Sequence, residues 1–327
     1  MSTPPTILLE DTPTPSEALL ALLHAHLPHS IAVLRHLQSA RNFPGGSTPT
    51  THILYAHHSE TDAEGDTNAP FAAAFVDLAR APETQLSIYS SLERSTNERT
   101  STTSSSSNGA VEPGDYHWAG RPLQDEAALD LVLALFRRTR ALAIRASTEQ
   151  QQDTTTMMVT TTTPLVGSLH ETWEFNGKWL FRVEDLPREE GWSLPQGVRW
   201  DRVRREDAGV VQGRTRVTRL PETLLMLPST VMRLEDGTPI AWAFMGLDGT
   251  LMTLHVEEPY RQRGLAKALA CKLMREHISD YSDDGWGAAD VYVGNSQSQA
   301  LCRSIGGKKS WILSWAKVDL STVGDPM

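Results

Sequence analysis

The sequence is short of positive charge and has no long apolar run. It contains 40 acidic and 30 basic residues, which gives a formal net charge of −10 at pH 7. Nucleic acids and anionic membranes are bound mainly through extended basic surfaces, which this composition disfavours. No apolar run approaches the ~18 residues that span a membrane. We therefore expect neither nucleic acid nor membrane among the partners, although a local basic site is compatible with this composition.

Cysteine is also scarce. Cys271 and Cys302 are the only two, and their separation in sequence does not match the spacing of zinc ligands, so we expect no metal. The first twenty residues contain acids and prolines but no arginine, unlike a signal or transit peptide. These absences favour a reducing compartment, and we expect a cytoplasmic protein. The sequence does not indicate an oligomeric state.

Polar low-complexity tracts interrupt the first part of the chain, at 59–69, 95–114 and 147–163. Such tracts cannot bury enough apolar surface to fold by themselves, and we predict that they are loop insertions. The 327 residues of the chain are enough for two domains with separate cores. We predict a divergent N-terminal α/β domain over residues 1–190 and a second domain over 191–327.

The second domain has a regular pattern of predicted elements. A helix is predicted over 193–211, and two Asp-Gly turns, at 236–237 and 248–249, then separate three strand-like runs. This arrangement is typical of an antiparallel three-stranded meander. The third strand, about 250–256, runs into a turn of the form R-x-x-G-x-A. A helix with leucine at every fourth position follows the turn.

The turn concentrates positive charge in an acidic chain. Arg261, Arg263 and Lys267 surround Gly264 at the predicted helix start. A helix N-terminus carries about half a positive charge and unpaired N–H groups, which favour a phosphate. Gly264 lets the backbone approach an anion closely, and Ala266 is small enough not to obstruct it. The cations lie where a pyrophosphate would bind, but the fingerprints of dinucleotide and nucleoside triphosphate sites are absent, and the turn taken alone also fits a basic helix start.

A second block follows the helix. A strand-like run at 288–293 leads to N-x-x-S-x-x-L-x-x-x-x-G, from Asn295 to Gly306, and then to a last strand at 310–318. The order of these elements resembles the GNAT acyltransferase superfamily. Val256 to Ala266 is similar to the acyl-CoA motif of that superfamily, and Asn295 to Gly306 is similar to its second characteristic block.

Two segments, 22–37 and 227–261, resemble more narrowly the glycine N-acyltransferase-like proteins. The resemblance implies a GNAT fold, a mixed and mostly antiparallel sheet flanked by helices, with a divergent N-terminal domain that is a candidate second copy. It implies a transferase that uses acetyl-CoA or another acyl-CoA as co-substrate. A short acyl group would pass to the amine of a small, amino acid-like acceptor, which would attack the thioester directly without a protein nucleophile.

The resemblance also implies which residues bind the cofactor. The pantetheine arm would lie beside the strand that ends at Val256, as an added strand, with backbone N–H groups polarising the thioester carbonyl. The amides of the turn would hold the pyrophosphate. The cofactor-binding residues implied are Leu254, Val256, Arg261, Gln262, Arg263, Gly264, Leu265, Ala266, Lys267, Asn295 and Ser298.

The residues that would transfer protons depart from the family pattern. Thr250 stands where glycine acyltransferases have a glutamate, so the general base is open. Candidates for it are His255, Glu257, Glu258 and Asp248. Cys302 occupies the position of a tyrosine that donates a proton in many GNAT enzymes. We predict that His255, Glu257 and Cys302 are catalytic; His255 has a suitable ordinary pKa, although a histidine packed on the sheet is an equal alternative.

The same departures leave two other functions open. One is a catalytically impaired protein that binds acyl-CoA, since the predicted phosphate turn is intact while both proton-transferring positions are altered. The other is a protein N-acetyltransferase, because an acidic chain suits a basic acceptor surface.

Overall fold

The computed structural model divides the chain into two compact units. The N-terminal unit comprises Met1–Asn176 and Trp311–Met327, and the C-terminal unit comprises Gly177–Ser310. The residues that the structure describes are 6–59, 69–91, 126–151, 153–161, 173–188, 194–217 and 219–321. The predicted insertions at 59–69 and 95–114 therefore lie outside the described residues, apart from the two end positions of the first.

The N-terminal unit contains six strands and three helices among its described residues. They are β1 (Ile7–Thr12), α1 (Glu17–Ala25), α2 (Ile31–Asn42), β2 (Thr51–His58), β3 (Phe71–Asp77), β4 (Gln85–Ser90), α3 (Glu126–Gln150), β5 (Thr156–Thr161) and most of the last strand of the chain, β12 (Lys308–Asp319). Strands β1 to β4 pair antiparallel in order. Strand β5 pairs parallel with β4 and antiparallel with β12.

Helices cover both faces of this sheet, which explains the composition of β3. All seven residues of β3 are buried. Ala72, Ala74 and Val76 point into the cluster that includes α3, whereas Phe71 and Phe75 point into the cluster with α1 and α2. Since successive side chains of a strand point to opposite faces, a central strand covered on both sides becomes apolar throughout.

The C-terminal unit begins within β6 (Trp173–Arg182) and contains a second, four-stranded sheet. Its other elements are β7 (Val198–Asp201), α4 (Ala208–Gln212), α5 (Pro221–Met226), β8 (Ser229–Leu234), β9 (Pro239–Met245), β10 (Leu251–Val256), α6 (Leu265–His277), β11 (Trp286–Tyr292) and α7 (Ser296–Ser304). Strands β7 to β10 pair antiparallel in order, and β11 lies beside β6. The predicted meander is confirmed, and the glycines of its two Asp-Gly turns, Gly237 and Gly249, have positive φ.

The two faces of the four-stranded sheet carry different elements. Helix α6 packs against β8, β9 and β10 and buries Leu265, Leu269 and Leu273, the predicted apolar stripe. The apolar cluster of α4 and α5 contains Trp242 of β9 and, at its margin, Met252 of β10. Helix α6 therefore covers one face of the sheet, and helices α4 and α5 cover the face that carries Trp242.

Two sequence predictions in these units were wrong. The tract 147–163, predicted as a loop insertion, contains the end of α3 and strand β5. Its threonines and valine are β-branched, and β5 finds partners in both β4 and β12. The helix predicted over 193–211 contains instead the edge strand β7, in which Trp200 pairs with Met232, and helix only from Ala208.

Both units have the same order of elements: a strand, two helices, three antiparallel strands, a helix, and a strand parallel to the third of those strands. The predicted fold class, an α/β fold with a mixed and mostly antiparallel sheet flanked by helices, is confirmed. No helix in the described ranges has the length and apolarity needed to cross a bilayer. Within the same ranges, no three His, Cys, Asp or Glu side chains form a group able to hold a metal ion.

Candidate active site

Strand β10 is open along one edge. It is joined to β11 by a single parallel bridge between Thr250 and Ala288. Beyond that bridge, Leu251 to Val256 pair only with β9 among the described residues. The edge of β10 that faces β11 therefore offers backbone N–H and C=O groups to a ligand, as the family resemblance implies.

A β-bulge interrupts β10 within this open stretch. Met252 pairs with Phe244, but Trp242, two residues before Phe244, pairs with His255 rather than with Leu254. Thr253 has a φ of 51°, which is unusual for a β-branched residue. A bulge leaves one residue's backbone groups unpaired, and such local strain clusters at functional sites. No glycine marks this position, and sequence reasoning missed it.

Because of the bulge, His255 lies on the same face as Met252 and stacks on Trp242. The ring centroids are 4.8 Å apart and the planes meet at 24°. The Nε2 atom is buried and has no hydrogen-bond partner among the described residues. Burial lowers the pKa of His255 below its ordinary value, and the nearby Arg261 and Arg214 lower it further, against an opposing effect of Glu257. A neutral imidazole with a free nitrogen is suited to accept a proton.

The structure brings Glu257 close to His255 and places the other two candidate bases in turns. The Glu257 Oε2 atom lies 3.7 Å from His255 Nε2, and Glu257 Oε1 accepts a hydrogen bond from Arg214 Nε at 3.0 Å. Glu258 is exposed in a short 3₁₀ turn. Asp248 Oδ1 accepts hydrogen bonds from the backbone N–H and the hydroxyl of Thr250, so the Asp248 carboxylate is engaged within its own turn.

The turn before α6 forms a row of unpaired backbone donors. Gln262 and Gly264 have φ values of 62° and 79°, and a Cβ on Gly264 would meet nothing within 4 Å. In the described part of the chain, the amides of Gln262 to Ala266 find no acceptor, whereas those of Lys267 and Ala268 both donate to Gly264 O at 3.1 Å. Such a concave row at the start of a 13-residue helix is a site for an anion.

Three cationic side chains flank these donors. Arg261 Nε donates to Val256 O at 3.0 Å, which ties the turn to the end of β10. Arg263 Nη2 donates to Pro259 O at 3.1 Å, and its guanidinium lies 5.7 Å from the centre of the Tyr260 ring. Lys267 is exposed on the first turn of α6. Two of the cations therefore stabilise the turn itself, and all three add positive potential around it.

The N-terminal half of the chain shows which protein family it belongs to. Residues 5–180, just over half of the chain, match the model described as the N-terminal domain of the acyl-CoA N-acyltransferase verG. The chain belongs to this acyl-CoA N-acyltransferase family. The match covers most of the N-terminal unit, and the C-terminal unit has the open strand and the turn with unpaired backbone donors described above. The narrower glycine N-acyltransferase-like assignment is not confirmed and stays a prediction.

One solved structure has a similar fold over most of the chain, and two others are more distant. A Drosophila protein determined by X-ray crystallography is 16% identical, with a TM-score of 0.59 over 95% of this chain and 98% of its own. A tandem GNAT protein from the clavulanic acid biosynthesis pathway has a TM-score of 0.47 at 12% identity, over 95% and 98% of the two chains. A GCN5-related N-acetyltransferase from Sphaerobacter thermophilus has a TM-score of 0.44 at 13% identity, over 97% and 98%. The last two scores are too low to carry an argument. No curated protein sequence matches the chain significantly.

The remaining predicted cofactor residues lie on three elements. Asn295 caps α7, and its Oδ1 accepts a hydrogen bond from the N–H of Ser298 at 3.0 Å. Leu254 is half-buried on β10, whereas Val256 and Leu265 are buried. The side chain of Leu265 belongs to the core, so only its backbone is available to a ligand.

Cys302 is held in an environment that does not favour proton donation. Its thiol is buried, and burial raises the pKa of Cys302 to about 12. An unperturbed thiol has a pKa of about 8.5, so proton transfer from Cys302 to a departing thiolate would be uphill.

We therefore expect Cys302→Ala to leave kcat of the N-acyltransferase within about twofold of wild type, with a small loss of stability from the missing sulfur. The comparison is steady-state CoA release together with the melting temperature. A hundredfold fall in kcat with an unchanged melting temperature would return Cys302 to the reaction.

Proposed function

We propose that the protein transfers an acetyl or other short acyl group from acyl-CoA to the amine of a small, amino acid-like acceptor. The observation that carries the proposal is the continuity of three features: the open bulged edge of β10, the row of donors from Gln262 to Ala266, and the bond from Arg261 to Val256 that joins them. Acyl-CoA matches this arrangement, because its extended pantetheine arm can lie beside a strand and is joined to a pyrophosphate.

Acyl-CoA would bind along this continuous surface. The amides around Gly264, with Arg261, Arg263 and Lys267, would hold the pyrophosphate. The pantetheine arm would lie along the open edge of β10, with Asn295 and Ser298 at the start of α7 as further contacts. Backbone N–H groups of the bulged stretch up to Val256 would polarise the thioester carbonyl, where negative charge develops in the transition state.

The chemistry needs positioning and one proton acceptor. The acceptor nitrogen attacks the thioester carbon, so that a C–N bond forms while the C–S bond breaks. His255 Nε2 takes the proton that the nitrogen loses, and CoA leaves as a thiolate that water protonates. No protein nucleophile takes part, and the acyl-CoA supplies the activated group.

The test is CoA release by the purified protein, followed with a thiol reagent over acyl-CoAs crossed with amino acids and simple amines. Release that depends on the acceptor would support the transferase. The alternative, an acyl-CoA-binding protein without activity, is favoured by Thr250 and its hydrogen-bonded turn, which leave no acid at that position. This alternative predicts that acetyl-CoA raises the melting temperature while no acceptor causes release of CoA. Basic peptides are included among the acceptors, because release with them alone would favour the protein N-acetyltransferase alternative.

The role of His255 predicts a specific pH dependence. We expect His255→Ala to lower kcat by about 10²–10⁴-fold without changing the Kd of acetyl-CoA, because general base catalysis contributes this much. The base must be neutral, so wild-type activity is lost as pH falls through the pKa of His255. Since burial lowers that pKa, the acid limb of kcat/KM is expected below pH 6.5, the ordinary value.

The control for this prediction is His24→Ala, which removes an exposed histidine of α1 and should leave kcat and the pH profile unchanged. Equal activity of His255→Ala and wild type at every pH would remove His255 from the reaction.

A further inference from the structure

The carboxylate of Glu257 lies between two cationic or ionisable groups. Its Oε1 atom accepts a hydrogen bond from Arg214 Nε at 3.0 Å, and its Oε2 atom lies 3.7 Å from His255 Nε2. Arg214 comes from the segment that follows α4, 43 residues earlier in the chain. Three side chains from two distant segments thus form a row: Arg214, Glu257, His255.

Glu257 lies within hydrogen-bond distance of Arg214 but not of His255. A separation of 3.7 Å is too long for a hydrogen bond, and Nε2 of His255 is buried with no partner in the described part of the chain. A direct hydrogen bond to a carboxylate would stabilise the protonated imidazole and hold a proton on that nitrogen. In the structure, Glu257 Oε1 is paired with Arg214, and Oε2 stays beyond hydrogen-bond distance of Nε2.

The other groups around His255 do not replace this effect. Trp242, which stacks on the ring, is uncharged. Among the described residues, Arg261 is a further charged group near the imidazole, and its Nε donates a hydrogen bond to Val256 O. Glu257 is the negative charge in these residues that raises the pKa of His255, and Arg214 is hydrogen-bonded to it.

We propose that Arg214 is a positioning residue for His255: by pairing with Glu257 it keeps the carboxylate off Nε2, so that this nitrogen is free to accept the proton of the acceptor amine. This inference rests on the proposed function for its role in turnover. The coupling between Arg214 and His255, however, is a property of the folded protein without substrate.

The proposal predicts opposite shifts for two substitutions. Arg214→Met removes a cation and releases Glu257 to bond with Nε2, and both changes raise the pKa of His255, by about one unit, a tenfold change in the protonation ratio. Glu257→Gln removes the negative charge and lowers the pKa of His255. In the Glu257→Gln background, Arg214→Met should have less than half of its effect, since the carboxylate it restrains is gone.

The experiment is an NMR titration of the His255 ring in the full-length protein, assigned by the loss of its signal in His255→Ala. Arg214 and Glu257 are 49% and 22% exposed, so both variants should keep the fold, which the melting temperature checks. A matched control is Arg205→Met, which breaks another exposed Arg–Glu pair, with Glu222 at 3.1 Å, and should leave the titration of His255 unchanged.

Kinetics supply the second readout. In Arg214→Met the acid limb of kcat/KM should move to higher pH by the same amount as the NMR titration. An unchanged His255 titration in Arg214→Met, or an equal shift in Arg205→Met, would overturn the proposal. A wild type that releases no CoA with any acceptor would refute the proposed function, while the NMR titration would still decide whether Arg214 acts on His255.

Discussion

Replacing Gly264 by glutamate is expected to weaken acyl-CoA binding at least about 100-fold, which corresponds to about 2.7 kcal/mol. Gly264 has a φ of 79°, and its missing Cβ points into open space beside the donors of Gln262 to Ala266. A glutamate there would place a carboxylate at the proposed pyrophosphate site. The repulsion adds to the loss of close backbone approach.

The measurement is the Kd of acetyl-CoA by calorimetry, with the melting temperature as a check of folding. Gly237→Glu is a matched control, because Gly237 has a φ of 93° and also has nothing within 4 Å of a Cβ, but lies in the turn between β8 and β9. Both variants bear the same kind of backbone strain. If the two variants bound acetyl-CoA equally well, the turn at Gly264 would not be the phosphate site.

Replacing Lys178 by methionine is expected to destabilise the protein by about 3–5 kcal/mol. Lys178 Nζ lies 2.6 Å from Asp290 Oδ1, and both side chains are 3% exposed. These residues come from neighbouring strands, β6 and β11. Removal of the ammonium takes a cationic partner from a buried carboxylate, which is the costly way to break such a pair.

The double variant Lys178→Met/Asp290→Leu tests this reason. Removal of both charges avoids the uncompensated charge, so its stability should be close to that of wild type or higher. Urea unfolding measures all three proteins, and Arg205→Met, at an exposed ion pair, should cost less than about 1 kcal/mol. A single variant as stable as wild type would show that the pair is solvated or that the fold relaxes around the carboxylate.

The candidate phosphate site was predictable because its components are contiguous in the chain. The glycine, the cations and the helix start lie within a few residues of one another, and each acts through local backbone geometry. The Asp-Gly turns of the meander were readable for the same reason, since their sequence preference follows from positive φ. How these segments contact acyl-CoA stays a prediction.

Two strands, β7 and β5, could not be predicted from the sequence. Strand β7 was mistaken for helix because an edge strand is defined by its partner, here β8. Strand β5 was hidden in a low-complexity tract, although β4 and β12 pair with it. In both cases pairing with a strand that is distant in sequence, which local patterns do not specify, decided the structure.

By itself, the sequence determined the acyl-CoA motif, the meander and the α/β class, because short-range turns, caps and apolar periodicity carry that information. Only the tertiary structure decided the environment of the candidate catalytic residues. The bulge at Thr253 arises from register against β9, the high pKa of Cys302 from its burial, and the row of Arg214, Glu257 and His255 from packing of distant segments. Proton affinity depends on solvation and on charges that neighbour a group in space, so chain order alone does not specify it.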